Sequence, residues 1–135
     1  MSTPLNELLD DLEDRGLLTD DDALYEAFSS WASSTGRPLY RHQDESLIEI
    51  LSGNHVIAAT PTGSGKSMIA LAAHFVSMAH GGRSYYTAPL KALVSEKFFD
   101  LVALFGAENV GMGTLRLFAV LRKSWQISPC ARDRL

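Results

Sequence analysis

The stretch that most constrains this chain is Thr60-Pro61-Thr62-Gly63-Ser64-Gly65-Lys66-Ser67, set between the run His55-Val56-Ile57-Ala58-Ala59 and the apolar stretch Met68 to Ala79. A short, β-branched apolar run bounded by turns suits a strand buried on both faces of a parallel sheet. The stretch after the loop has the length and composition of a buried helix, ended by Gly81-Gly82. A helix N-terminus presents unpaired backbone N–H groups and a partial positive charge, so a glycine-rich turn entering one forms a cradle for a polyphosphate. In that cradle Gly63 and Gly65 would let the backbone close around a β-phosphate, and Lys66 would neutralise β- and γ-oxygens. The Ser67 hydroxyl would ligate Mg²⁺ held with the nucleotide. Thr62 and Ser64 complete the set of nucleotide-binding candidates in the loop. Thr60 stands where the general pattern has glycine, but as the last residue of a strand it needs only an extended conformation, which a β-branched residue accepts. The plain alternative is an ordinary turn before a helix, and it leaves the strand-loop-helix order without a reason.

The rest of the chain extends this alternation. Leu5, Leu8, Leu9 and Leu12 fall at helical spacing, so residues 4 to 15 are predicted to form a short amphipathic helix stopped by Gly16. Asp20 to Asp22 supply a cap for a second helix whose Leu24, Ala27, Phe28 and Trp31 share a face. Both read as an appendage, a solvated pair of helices with docking of a partner as the alternative. A helix over 42–51, with Leu47, Ile48 and Leu51 inward, then ends at Ser52-Gly53-Asn54, ahead of the strand at 55–59. Arg83 to Ala88 reads as the next strand, Lys91 to Phe105 as a helix, and Asn109 to Met112 as the start of a third strand. Strands alternating with helices predict an α/β fold with an open parallel sheet flanked by helices and preceded by two N-terminal helices.

Charge and cysteine content narrow the classes. A net charge of −4 argues against coating nucleic acid through bulk electrostatics. The charge is nonetheless segregated: residues 1 to 30 carry acids from Glu7 to Glu26 against Arg15, while from Thr114 onward Arg116, Arg122, Lys123, Arg132 and Arg134 face Asp133 alone. No apolar run reaches the roughly 20 residues that span a bilayer, and the acidic start does not read as a secretory signal, so a cytoplasmic location and no membrane partner are expected. The single Cys130 has no internal disulfide partner. His42, His55, His74 and His80 lack metal-ligand spacing and receive no chemistry. Trp31 and Tyr40 have the rings to stack on a base, against which stands the commoner role of core packing.

Three segments together, Pro38-Leu39-Tyr40-Arg41-His42-Gln43, Ala58 to Ser67 and Tyr86-Thr87-Ala88-Pro89-Leu90-Lys91-Ala92-Leu93, resemble superfamily 2 DEAD/DEAH-box helicases over residues 38 to 113. The resemblance implies ATP and Mg²⁺ as ligands, a partial RecA-like P-loop domain, and a parent activity of ATP-dependent nucleic-acid unwinding. It implies that Gln43 reads adenine, a role for which a side-chain amide is chemically suited. Taken alone, Gln43 is a polar residue at a helix start. It also implies that Pro89, Leu90 and Lys91 grip the backbone of single-stranded DNA or RNA, and a helix start with one cation suits a phosphate. Taken alone, Lys91 is a solvated helix-start lysine.

The family pattern also requires a later Asp-Glu pair for Mg²⁺ and water, and a second motor domain. Neither follows in this sequence, so this chain by itself is not expected to hydrolyse ATP or unwind a duplex. The resemblance stops at Gly113, and the basic stretch that follows has two readings: a frameshifted or truncated gene product, or a genuine basic tail whose Leu115, Phe118 and Leu121 face the sheet. The expected organisation is therefore an acidic helical extension over 1–36, a partial helicase ATP-binding domain over 37–113, and a tail over 114–135. Two or three strands leave a sheet edge open, so marginal stability is expected. Other functional classes stay open: a P-loop phosphotransferase, which also uses Gly-Lys-Ser after a buried strand, and a non-catalytic module acting through its N-terminal helices.

Overall fold

The computed structural model describes residues 4–59, 65–88, 91–112 and 118–121. Helices form where the apolar spacing places them. α1 spans Leu5–Asp14 and α2 spans Asp21–Ser34. The Asp20 carboxylate caps α2, accepting from the Ala23 N–H at 3.1 Å and satisfying one of the donors that a helix start leaves open. α3 runs Arg41–Leu51, α4 Lys66–Ala79 and α5 Lys91–Phe105. α4 buries residues around most of its circumference, from Met68 to Ala79, which makes it the central helix of the molecule.

The strands are few and short. β1 is Ser84–Thr87, β2 is Val110–Met112 after a 3-10 turn at Ala107–Asn109, and β3 is Phe118–Leu121. They form a three-stranded sheet in the order β1-β3-β2. β3 runs antiparallel to both neighbours, with Tyr85 opposite Val120 on one side and Gly111 opposite Val120 on the other.

This corrects the open parallel sheet expected from the alternation of elements. β1 and β2 do point the same way, but the segment at 118–121 lies between them and supplies the hydrogen bonds that a parallel neighbour would have supplied. A second correction concerns His55 to Ala59, expected as a buried strand. These residues have no regular structure, and Ile57 is 94% exposed. A strand buried on both faces needs paired neighbours on its edges, and the sheet pairing among the described residues involves only the other strands. The chain is thus α/β and mostly helical. α3 turns Leu47 inward as expected but leaves Ile48 45% exposed.

The core runs through both N-terminal helices. Leu5, Leu9 and Leu12 of α1 and Leu24, Phe28 and Trp31 of α2 are buried with Phe75, Leu101, Phe105 and Leu121 in one cluster. The Phe28 ring lies 5.5 Å from Phe75 and 5.5 Å from Trp31, tilted against each, a favourable aromatic arrangement. α1 and α2, read from the sequence as an appendage, therefore share the core of α4 and α5; the acids between the leucines had marked only their outer faces. Tyr25 adds a polar tie between helices, its hydroxyl donating to the Asp44 carboxylate at the start of α3. That hydrogen bond is the main reason the Tyr25 phenol is held above its ordinary pKa.

Candidate functional site: the start of α4

α4 begins at Lys66, and the residue before it is held in a left-handed conformation: Gly65 has φ 82° and ψ 35°. A non-glycine residue there is strained by its own Cβ. Space gives a second reason for glycine, because a Cβ on Gly65 would lie 2.2 Å from Gln43 Nε2. The backbone at the helix entrance is thus approached closely by the side chain that the motif reading pairs with it.

Gln43 sits in the first turn of α3 and is 5% exposed. Its Oε1 accepts from the Tyr40 backbone N–H at 2.8 Å, and its Nε2 donates to the Gly65 carbonyl at 3.0 Å. One half of the amide thus fixes the start of α3 and the other holds the entrance of α4. A primary amide has two acceptor lone pairs and two N–H donors, so one of each is left over from these two bonds. Lys66 and Ser67, the expected phosphate and Mg²⁺ groups, are exposed on the first turn of α4. There the helix start leaves backbone N–H groups without intrahelical partners. The residues present, a cation and a hydroxyl beside the open N–H groups of a helix start, suit a Mg²⁺-bound polyphosphate.

A cavity of about 740 Å³ opens at this point, lined by Tyr40, Gln43, Gly65 and Ser67, within the roughly 300–1,000 Å³ range of small-molecule sites. Tyr40 is 64% exposed, with its ring stacked near His42 at 6.0 Å and 17°. Trp31 is buried in the core. Of the two aromatic candidates, Trp31 follows the core reading and Tyr40 lies at the cavity. The sequence had no signal to separate them, since both sit beside apolar helix positions. α5 brings Lys97 and Asp100 to the same cavity. Motif reasoning missed them, because their place depends on how α5 packs and not on local pattern.

Other candidates fall outside this cluster or outside the described residues. Thr62, Gly63 and Ser64 of the loop, and Pro89 and Leu90 of the expected nucleic-acid segment, lie outside the described residues. Lys91 is the exposed first residue of α5. His74, to which no chemistry was given, is buried on α4 with Nδ1 2.8 Å from Ser84 Oγ on β1. Burial, and then the charge of Lys97, push its pKa down to about 4. Among the described residues no group of His, Cys, Asp and Glu is placed to hold a metal ion, and no helix is long and apolar enough to cross a membrane.

Comparison with known proteins bears on the same stretch. The family model described as DEAD/DEAH box helicase matches residues 40–123. The chain is 47% identical over 64 residues to the DExH-box ATP-dependent RNA helicase DExH15 of Arabidopsis thaliana, covering 47% of this chain and 6% of that protein. It is 42% identical over 77 residues to the ATP-dependent DNA helicase Hel308 of Methanocella arvoryzae, covering 56% of this chain and 10% of the relative. The Hel308 of Aeropyrum pernix is 35% identical over 101 residues, covering 64% of this chain and 14% of its own length. The chain thus spans only a small part of the curated relatives it matches, and no solved structure matches it. With the family model covering residues 40–123, more than half of the sequence, the chain belongs to the DEAD/DEAH box helicase family.

Proposed function

We propose that this segment binds Mg·ATP at the entrance of α4 and serves, within a whole helicase, the ATP-dependent unwinding of nucleic acid. The observation that carries the reading is the buried Gln43 amide bonded to the Gly65 carbonyl. The pairing puts a group able to contact a base next to a group able to hold phosphates. The leftover lone pair and N–H of Gln43 are what a bidentate contact to adenine N6 and N7 requires, and the exposed ring of Tyr40 offers the base a stacking face. Lys66 supplies positive charge for β- and γ-oxygens, Ser67 a hydroxyl for Mg²⁺, and the backbone N–H groups of the first turn complete an anion site. Thr62, Gly63 and Ser64 belong to the same cradle in this proposal.

No Asp-Glu pair follows Ser67 in this sequence, so binding is assigned to this segment, and hydrolysis and unwinding to the whole protein. Pro89, Leu90 and Lys91 are proposed to hold a single-stranded DNA or RNA backbone, with Lys91 at a helix start making a contact that positions without reading bases. Oligonucleotide binding that is unchanged in Lys91→Ala would remove that part. The basic stretch beyond residue 123, where the family match ends, is proposed to be out of frame; a translation of the other frames past that codon that yields no Asp-Glu motif rejects this.

The adenine assignment is tested by titrating the chain with Mg·ATP and Mg·GTP. Wild type is expected to favour ATP by about tenfold or more, the order of one good bidentate contact at roughly 1–3 kcal/mol. Gln43→Ala is expected to bring the two nucleotides together. An ATP preference that persists in Gln43→Ala contradicts the assignment.

A further inference from the structure

The motif reading accounts for the cavity residues of α3 and α4 but not for those of α5. Lys97, Asp100, Ala103 and Leu104 line the same space as Gln43, Gly65 and Ser67. Their spacing of three and four residues puts them along one helical face. That face carries one acid and one base, and it stands close enough to α4 for the Lys97 charge to act on His74. Nothing in the phosphate-loop chemistry calls for a carboxylate here, since an acid repels a triphosphate.

We propose that this face of α5 is the sugar wall of the nucleotide cavity, with the Asp100 carboxylate accepting hydrogen bonds from the ribose hydroxyls. The inference rests on the reading that Mg·ATP binds at the entrance of α4. Gln43 and Gly65 touch each other, so a nucleotide with its base at Gln43 and its phosphates at the start of α4 turns its ribose away from that contact, into the cavity that α5 lines. The ribose presents two hydroxyl donors, and an ionised carboxylate is an acceptor-only group that takes two. Such charge-assisted bonds are shorter and stronger than neutral ones. Lys97, one turn before Asp100 on the same face, brings a compensating charge to the wall. The consequence is selection for ribonucleotides: a 2′- or 3′-deoxynucleotide leaves the carboxylate facing a C–H, and the lost bond lowers affinity.

The test is a calorimetric titration of the full chain with Mg·ATP, Mg·2′-deoxyATP and Mg·3′-deoxyATP, in wild type, Asp100→Ala and Lys66→Ala. Asp100 is exposed on a helix, where alanine is well tolerated, and thermal melting checks that the variant folds. Wild type is expected to bind ATP about tenfold tighter than at least one deoxy form, the order of one hydrogen bond to a charged group. Asp100→Ala is expected to abolish that preference by weakening ATP more than either deoxy form, each of which has one hydroxyl fewer to lose. Equal binding of all three by wild type overturns the proposal. So does a preference that survives in Asp100→Ala, or a loss in that variant that is the same for all three. In each of these cases ATP binding that disappears in Lys66→Ala leaves the parent reading standing, whereas no ATP binding by wild type overturns both.

Discussion

Gln43 and Gly65 fit each other so closely that Gly65 has no room for a side chain while Gln43 is present: the Gln43 amide donates to the Gly65 carbonyl at 3.0 Å, and the space a Cβ would need at Gly65 is taken by Gln43 Nε2, 2.2 Å away. The contact joins the start of α3 to the entrance of α4, two places 22 residues apart in the sequence. It is also the point at which a base contact and a phosphate contact would report to one another.

Gly65→Ala tests this contact. The left-handed backbone at φ 82° costs an alanine about 1–2 kcal/mol, and the added methyl must displace the Gln43 amide. The variant is expected to melt at a lower temperature and to lose Mg·ATP affinity by more than about tenfold, where each 1.4 kcal/mol is a factor of ten. Titration and thermal denaturation of the same preparations read both effects. Wild-type behaviour in both would mean that the contact does not shape the site.

A pair of substitutions tests the packing. Phe28→Ala removes a fully buried ring that touches Phe75 and Trp31 and is expected to cost about 3–5 kcal/mol. Ile57→Ser changes a side chain that is 94% exposed and is expected to stay within about 0.5 kcal/mol of wild type. Urea denaturation measures both. A large loss at Ile57 would restore the buried strand that the sequence predicts at 55–59, and a small one at Phe28 would detach α2 from the core.

The contrast shows where the sequence is legible. The helices were readable because an apolar face repeats at helical spacing and the glycines at 16, 53, 81 and 106, each with positive φ, mark their ends. Glycine and lysine spacing likewise located the start of α4. Strand pairing was not readable. Val56 and Ile57 have strand composition, but composition does not say which edges are paired, and the apolar run at 118–121 takes the place between β1 and β2. The motif resemblance ended at Gly113, whereas the family match continues to residue 123 and contains β3. Likewise Lys97 and Asp100 look like ordinary helix-surface charges until the packing of α5 brings them to the cavity.

His74 makes stability depend on pH. Burial and Lys97 hold its folded pKa at about 4 against an ordinary value of 6.5. The unfolded chain therefore takes up a proton as the pH falls below 6.5, while the folded chain does so only near 4. Protons favour the unfolded state across that window, so this residue leaves stability unchanged above it and reduces it as the pH falls through it, by about 3 kcal/mol in all. His74→Asn, which keeps a polar group beside Ser84, is expected to lose this component. Carboxylates titrate in the same region, so the measured quantity is the difference between wild type and variant in denaturation free energy at pH 7 and at pH 4.5. Parallel pH profiles for the two proteins would contradict the assignment.

The most direct measurement is calorimetric titration of the chain with Mg·ATP, side by side with Lys66→Ala. Lys66 is exposed at the head of α4, so its removal leaves the core intact and takes away the cation proposed to face the phosphates. The account predicts saturable binding by wild type and none by the variant, with both proteins equally folded. Wild-type protein that gives no heat, or a variant that binds as wild type does, would contradict the claim that the entrance of α4 is a nucleotide site.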